Sequence, residues 1–218
     1  MEILSMSEFL VDENVIRKVV GKDLKGVIHI GAHFGQEHDF YEELGASNVL
    51  YFECHPQTYE KLVVAVGDKP NTVCVNKALG DESGVSKTMY CEIANTGKSN
   101  SLLKPNLHEQ VYAHIKFEDT VEVEKITLDD YGKEHDLSEY NFMNIDVQGY
   151  EMHVFKGAIE TLKNIKWIVT ELNFQEMYSG CAKYQELDAF LKENGFRIET
   201  GIDTGCGWGD AFYIRTNS

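Results

Sequence analysis

Along this chain, short β-branched apolar runs alternate with longer segments whose apolar residues recur every three or four positions, and glycine-rich turns separate them. The first run, Val27-Ile28-His29-Ile30, has the length and branching of a buried strand. A turn follows, Gly31-Ala32-His33-Phe34-Gly35, and then a helix with Phe40, Tyr41 and Leu44 on one face, stopped by Gly45. Val49-Leu50-Tyr51-Phe52 reads as a second buried strand that ends on Glu53. Pro56 suits a first helical position, and the stripe Tyr59, Leu62, Val63 and Val66 is expected to pack in the core before Gly67 ends the helix.

Thr72–Leu79 is expected as the third strand, and Val85–Ile93 as a local hairpin returning to the same sheet. Ala94–Asp119 has no regular period. Its small polar residues, from Asn95 to Ser101, mark a loop cap over about residues 94–119 that shapes a substrate pocket, with Ser101 as a substrate-side candidate. His108 and His114 also lie here, without the partners a metal site needs. Thr120–Ile126 extends again, and Thr127–Tyr131 is a capped helical turn. Phe142–Asp146 is the fourth core strand, followed by one helix carrying Met152, Phe155, Ile159 and Leu162. Ile165–Asn173 is the fifth strand, and Tyr184–Gly195 the last helix. Phe196–Ile202 and Ala211–Thr216 then form a terminal antiparallel hairpin.

The pattern predicts an α/β, Rossmann-like, mostly parallel seven-stranded sheet with a C-terminal antiparallel hairpin and an inserted hairpin and loop cap. Residues 1–23 form a helical segment without evident chemistry, and 24–218 a single domain. In such a sheet three acidic strand ends, Glu53, Asp146 and Glu171, fall on one edge. Three separately desolvated carboxylates without a shared task would be costly. The strand–turn–helix–strand unit ending on Glu53 has the layout of a nucleoside site, with the carboxylate accepting from ribose hydroxyls. The turn has one glycine fewer than the dinucleotide fingerprint and no phosphate-binding lysine loop, which suits S-adenosylmethionine. Asp81 lies just past the third strand, either in reach of a purine amino group or as an ordinary turn former.

Composition narrows the class. Hydrophobic residues at 43% are enough for a globular core in 218 residues. The net charge of −16 repels a phosphate backbone, which argues against a nucleic-acid partner. No apolar run spans a bilayer, so no membrane partner is expected. Five cysteines, an odd count without CxxC spacing, fit a reducing cytoplasmic setting.

Together the blocks VIHIGAHFGQE, YFECHP, KALGDESG, SNSLL, ITLDDY, NIDVQGYEMHVFKGA, VTELNFQEMYSG and GWGDAFYIR resemble the FkbM-type family of S-adenosylmethionine-dependent methyltransferases. The likeness runs from about Gly26 to Arg215, and Asp-Val-Gln-Gly-Tyr-Glu is its most specific part. It implies a class I methyltransferase fold and methyl transfer to an oxygen, often a hydroxyl of a sugar or small metabolite. Carried over, Gly31, Ala32 and Gly35 fall on the cofactor's glycine turn, Glu53 on the ribose acid and Asp146 on the strand-end aspartate facing the methyl group. The family usually has an acid two residues before the first glycine, commonly used to hold the cofactor's ammonium; here that cofactor-side position is His29.

The expected catalytic pair is Asp146 and Glu171, one acting as general base. Asp146, Glu171 and Asn173 binding magnesium is the less favoured alternative, because no third acid is placed. His33, Asn173 and Asp210 join Ser101 on the substrate side, although His33 could instead cap its helix and Asp210 its hairpin. The acceptor is a small molecule or a glycan. The competing classes are a catalytically silent nucleoside-binding module and a nucleotide-dependent oxidoreductase or epimerase, which would want a fuller GxGxxG turn and a Tyr-x-x-x-Lys pair.

Overall fold

The computed structural model describes residues 9–216. In chain order the elements are α1 (Glu13–Val20), β1 (Gly26–Ile30), α2 (His38–Leu44), β2 (Asn48–Phe52), α3 (Pro56–Val66) and β3 (Thr72–Val75). Next come β4 (Ala78–Leu79), β5 (Val85–Cys91), α4 (His108–Val111), β6 (Asp119–Ile126), α5 (Leu128–Glu134) and β7 (Phe142–Ile145). The chain ends with α6 (Glu151–Lys156), α7 (Ile159–Leu162), β8 (Trp167–Asn173), α8 (Tyr184–Glu193), β9 (Phe196–Asp203) and β10 (Trp208–Arg215). Of the N-terminal segment expected over residues 1–23, the first eight lie outside the described residues. The remainder holds α1, whose N-cap Asp12 accepts the Asn14 N–H at 2.8 Å and whose Ile16 and Val20 are buried.

The main sheet has seven strands in the order β3-β2-β1-β7-β8-β10-β9. The first five run parallel, and β10 is antiparallel to both β8 and β9. This is the class I methyltransferase arrangement expected from the sequence. Chain order reverses between β1 and β7, so the carboxyl ends of β1, β2, β7 and β8 open on one shared edge, where open α/β sheets bind ligands. Both faces are covered, which is why β1, β7 and β8 read as continuous apolar runs. One face packs Leu128, Val154, Phe155, Leu162, Leu187 and Leu191, and the other packs Ile16, Phe40, Tyr41, Leu62 and Val66.

Four expectations are corrected. Thr72–Leu79 is two strands in two sheets, because the Asn76 amide turns back to donate to the Glu53 and Cys54 carbonyls at 2.9 and 3.2 Å. The inserted hairpin does not join the main sheet: β5 pairs antiparallel with β6, β4 adds in parallel, and the three form a separate sheet. The helix expected through Met152 and Leu162 is two helices, interrupted at Gly157. A Cβ at Gly157 would lie 1.9 Å from the Gly80 carbonyl oxygen, so the approach of the β4 turn requires glycine there. Val63 is 39% exposed and does not join the α3 core stripe.

Candidate active site

The site begins where β1 runs out. Gly31 and Ala32 donate their N–H groups to the Phe52 carbonyl at 2.9 and 3.0 Å, folding the turn over the end of β2. Gly31 has φ +79°, and a Cβ there would lie 1.8 Å from the Asp146 carbonyl oxygen. Only glycine lets the β1 turn and the β7 end come this close. At the tip of β2, Glu53 is buried, and its two oxygens accept the N–H groups of His33 and His55 at 2.9 and 2.8 Å. Burial raises its pKa to about 7, against the lowering pull of those backbone donors. Each oxygen still has a lone pair to offer a ligand hydroxyl.

His33 adopts φ +46°, and its ring spans the gap between turn and cap. The Gln36 amide donates to Nδ1 at 2.8 Å, and Nε2–H donates to the Thr96 carbonyl at 3.0 Å. The cap is held from within by the buried Glu92 carboxylate, which accepts the N–H groups of Asn95 and Gly97 at 2.6 and 2.8 Å.

At the ends of β7 and β8, Asp146 and the buried Glu171 are joined by one side chain. The Gln148 amide nitrogen donates to Asp146 Oδ1 and to Glu171 Oε2, each at 2.7 Å. The Tyr178 hydroxyl, 2.8 Å from Gln148 Oε1 and 3.0 Å from the Ser99 carbonyl, links this bridge to the cap. Gln148 itself sits at φ +52°, with its carbonyl taking the Ser101 hydroxyl at 2.7 Å. The buried Glu151 accepts the N–H groups of Val147 and Gly149 at 3.2 and 3.0 Å and fixes the rest of the turn. Burial, followed by the negative charges of Asp146, Glu151 and Asp210, pushes Glu171 well above the usual carboxylate range.

Two cavities meet at this bridge, with empty volumes of about 1020 and 1010 Å³ including their open mouths. The first runs from Glu53 past Gly31 and Ala32 to Phe9, His29 and Glu37. The second lies under the cap, between His108, Tyr112, Tyr178 and Trp208. Asp146, Gln148, Glu171, Asp210 and Lys98 line both. The Trp208 Nε1–H donates to the Tyr112 hydroxyl at 2.7 Å, which fixes these two rings relative to each other.

His29 faces the first cavity but is buried and fully engaged. The Asn144 amide donates to Nε2 at 3.1 Å, which leaves Nδ1–H for the Tyr41 hydroxyl at 3.1 Å. Burial drives its pKa down to about 3, so it is neutral, and its 3.8 Å approach to Glu37 is not an ion pair. Asp210 accepts the Leu10 N–H at 3.0 Å, and burial pushes its pKa up to about 7.

Four expected site residues take other places. Gly35 packs against Leu62 and Val66 of α3 and lines neither cavity. Asp81 pairs with Lys125 Nζ at 3.0 Å and His153 Nδ1 at 2.7 Å, outside the cavity walls. Ser101 is buried under Gln148 and lines neither cavity. Asn173 lies behind Glu171, donating to its Oε1 at 3.2 Å. The magnesium alternative built on Asp146, Glu171 and Asn173 finds no support in this arrangement: an amide NH₂ stands between the two carboxylates, and Asn173 turns its NH₂ toward Glu171. No group of three or more potential metal ligands occurs among the described residues.

Sequence reasoning missed Gln148, which is not titratable and whose only signal was its place inside the Asp-Val-Gln-Gly-Tyr-Glu block. It also missed Phe9 and the Leu10 amide, in a segment read as inert. Among the described residues, no helix is long and apolar enough to cross a membrane.

Known proteins resemble this chain in sequence and in fold. The 2-O-methyltransferase NoeI of Sinorhizobium fredii is 37% identical over 82 residues, covering 38% of this chain and 34% of that protein. The hexuronic acid methyltransferase AglP of Haloferax volcanii is 22% identical over 168 residues, covering 70% of this chain and 64% of that protein. Each match thus spans less than two thirds of the relative's own length. A solved structure of a NADB-Rossmann superfamily protein from Streptococcus agalactiae aligns over 97% of this chain and 72% of its own, with a TM-score of 0.51 at 12% identity, a likeness of fold. The profile of the Methyltransferase FkbM domain matches residues 29–198. That stretch runs from β1 into β9 and contains Glu53, Asp146, Gln148 and Glu171, and the chain belongs to this family of methyltransferase domains.

Proposed function

We propose that this protein transfers a methyl group from S-adenosylmethionine to a hydroxyl oxygen of a sugar or a similar small polyhydroxylated acceptor. The observation that carries the reading is the meeting of two cavities at one carboxylate pair, Asp146 and Glu171, on the ligand-binding edge of the sheet. The first cavity suits the cofactor. Glu53 offers oxygens already oriented by two backbone N–H groups, and the Gly31-Ala32 turn keeps side chains out of the way. The bound cofactor supplies a methyl group activated on a sulfonium.

The second cavity suits the acceptor. Its Tyr112, Tyr178 and Trp208 rings present apolar faces with polar edges, the combination that receives a sugar ring. The names of NoeI and AglP, a 2-O-methyltransferase and a hexuronic acid methyltransferase, support this class of acceptor. Asp146, exposed at the junction, accepts the proton of the attacking hydroxyl. Glu171, pushed well above the usual carboxylate range by burial and its acidic neighbours, lends Asp146 a hydrogen-bonded frame through Gln148 and leaves the basic role to its neighbour. The cap, tied to the turn by His33 and to the bridge by Tyr178, keeps water from competing with the acceptor. Orientation of the two substrates does most of the catalysis, as expected for an in-line displacement.

Calorimetric titration with S-adenosylmethionine, S-adenosylhomocysteine and NAD tests the cofactor. Binding of both adenosyl ligands, lost in Glu53→Ala, is the expected result, and release of S-adenosylhomocysteine across a panel of saccharides then identifies the acceptor. Binding of NAD alone, or of none of the three, would defeat the reading.

A further inference from the structure

The adenosyl cofactor carries an amino-acid tail with an ammonium group, which needs an acid in the first cavity. Position 29 does not supply it, because His29 is neutral and its ring nitrogens are taken by Asn144 and Tyr41. The wall of the same cavity also carries Glu37, Val169, Phe9 and Asp210. Asp210 lies on β10, opposite Glu171 of β8 in the strand register, and the N-terminal arm reaches it across the sheet edge. The Leu10 N–H occupies one carboxyl oxygen at 3.0 Å, which orients the other and pulls against the burial that raises this carboxyl to about 7. Phe9, the preceding residue, sets its ring edge-on against Phe40 of α2 with centroids 5.4 Å apart, anchoring the arm there.

We propose that Asp210, oriented by the Leu10 amide and enclosed by Phe9, is the acid that binds the cofactor's ammonium group. This rests on the cofactor reading above. Phe9, Leu10 and Asp210 all fall outside the matched stretch of residues 29–198. By this assignment the arm is part of the ligand site. Asp146 and Glu171 are the acids whose charges act on or are acted on by Asp210, and the wall of the same cavity also carries Glu37, Glu53, His29, His33, Lys77 and Lys98. With His29 neutral, carboxyl groups outnumber the two lysines along this wall, and a cation is the ligand charge that fits it.

Two probes separate the tail from the nucleoside: S-adenosylhomocysteine, which has the ammonium but no sulfonium, and 5′-methylthioadenosine, which has neither. Titration calorimetry of the full chain should show Asp210→Asn weakening S-adenosylhomocysteine at least about tenfold, as loss of a desolvated charge pair requires. The affinity for 5′-methylthioadenosine should not change, which also reports that the variant is folded. Leu10→Pro, which deletes the N–H and keeps the carboxylate, should weaken S-adenosylhomocysteine by a smaller factor, again without effect on the truncated probe. Unchanged affinity in Asp210→Asn, or parallel loss of both ligands, overturns the assignment and leaves the cofactor reading standing. If the unaltered protein binds neither probe, the cofactor reading falls and the assignment falls with it.

Discussion

The bridge between Asp146 and Glu171 gives the sharpest test of how this site is held. Gln148 donates to both acids at 2.7 Å while its own backbone sits at φ +52°, a conformation that costs a residue with a side chain about 1–2 kcal/mol. Something must hold it there. The Ser101 hydroxyl on its carbonyl and Tyr178 on its amide oxygen contribute, and the two carboxyl contacts contribute most. Gln148→Ala deletes the amide and keeps the strain; Gln148→Gly deletes both. The contact to Asp146 is charge-assisted and worth about 1.5–3 kcal/mol, and the contact to Glu171, whose pKa burial raises, about 1 kcal/mol. Alanine should therefore cost about 3 kcal/mol of unfolding free energy, and glycine about 1–2 kcal/mol less than alanine.

Urea unfolding at neutral pH, with slopes compared to confirm that the unfolded state is unchanged, measures both differences. With a saccharide acceptor in hand, both variants should bind S-adenosylhomocysteine yet transfer the methyl group about a hundredfold more slowly, because the two acids are no longer held together. An alanine variant as stable as the parent would mean that water replaces the amide without loss. A glycine variant no more stable than alanine would remove backbone strain from the account.

Three other predictions follow from the same geometry. Asp146→Asn should lower methyl transfer by about a hundredfold or more with little change in S-adenosylhomocysteine affinity, and full activity in that variant would take Asp146 out of the mechanism. Gly31→Ala should cost about 3 kcal/mol or more in urea unfolding, since its Cβ would stand 1.8 Å from the Asp146 carbonyl oxygen at φ +79°; a loss under about 1 kcal/mol would show that the β1 and β7 ends separate easily. Burial raises Glu151 to about 8, so between about pH 4.5 and 8 the folded chain holds a proton that the unfolded chain releases, and stability must fall as pH rises through that window. Glu53 and Asp210, both raised to about 7, act with the same sign. His29, lowered to about 3, acts with the opposite sign below about pH 6.5, so melting temperatures should decline between about pH 6.5 and 8, and more gently in Glu151→Gln. A parent protein whose melting temperature rises between about pH 6.5 and 8 would contradict the assignment.

How far the sequence reaches depends on whether a feature is decided locally. Strand ends are. A β-branched run that closes on an acid places that acid at the carboxyl end, and parallel strands gather such ends on one edge, so Glu53, Asp146 and Glu171 could be brought together before any coordinates. What a strand-end residue then does depends on which distant neighbour has claimed it. Asp81 has the same local signature as Glu53, yet Lys125 and His153, 44 and 72 residues away, have taken it into an ion pair and a hydrogen bond. The break at Gly157 is set by a carbonyl on another turn, and the end of β3 by a side chain folding back on β2. Asp210 could be read as a hairpin turn former because its partner, the Leu10 amide, lies 200 residues earlier in a segment with no chemical side chain to flag it. Gln148 escaped for a related reason: its left-handed backbone is affordable only because four groups from the cap and the strand ends converge on it. The local pattern thus locates the acids, and long-range hydrogen bonds decide which of them stay available to a ligand.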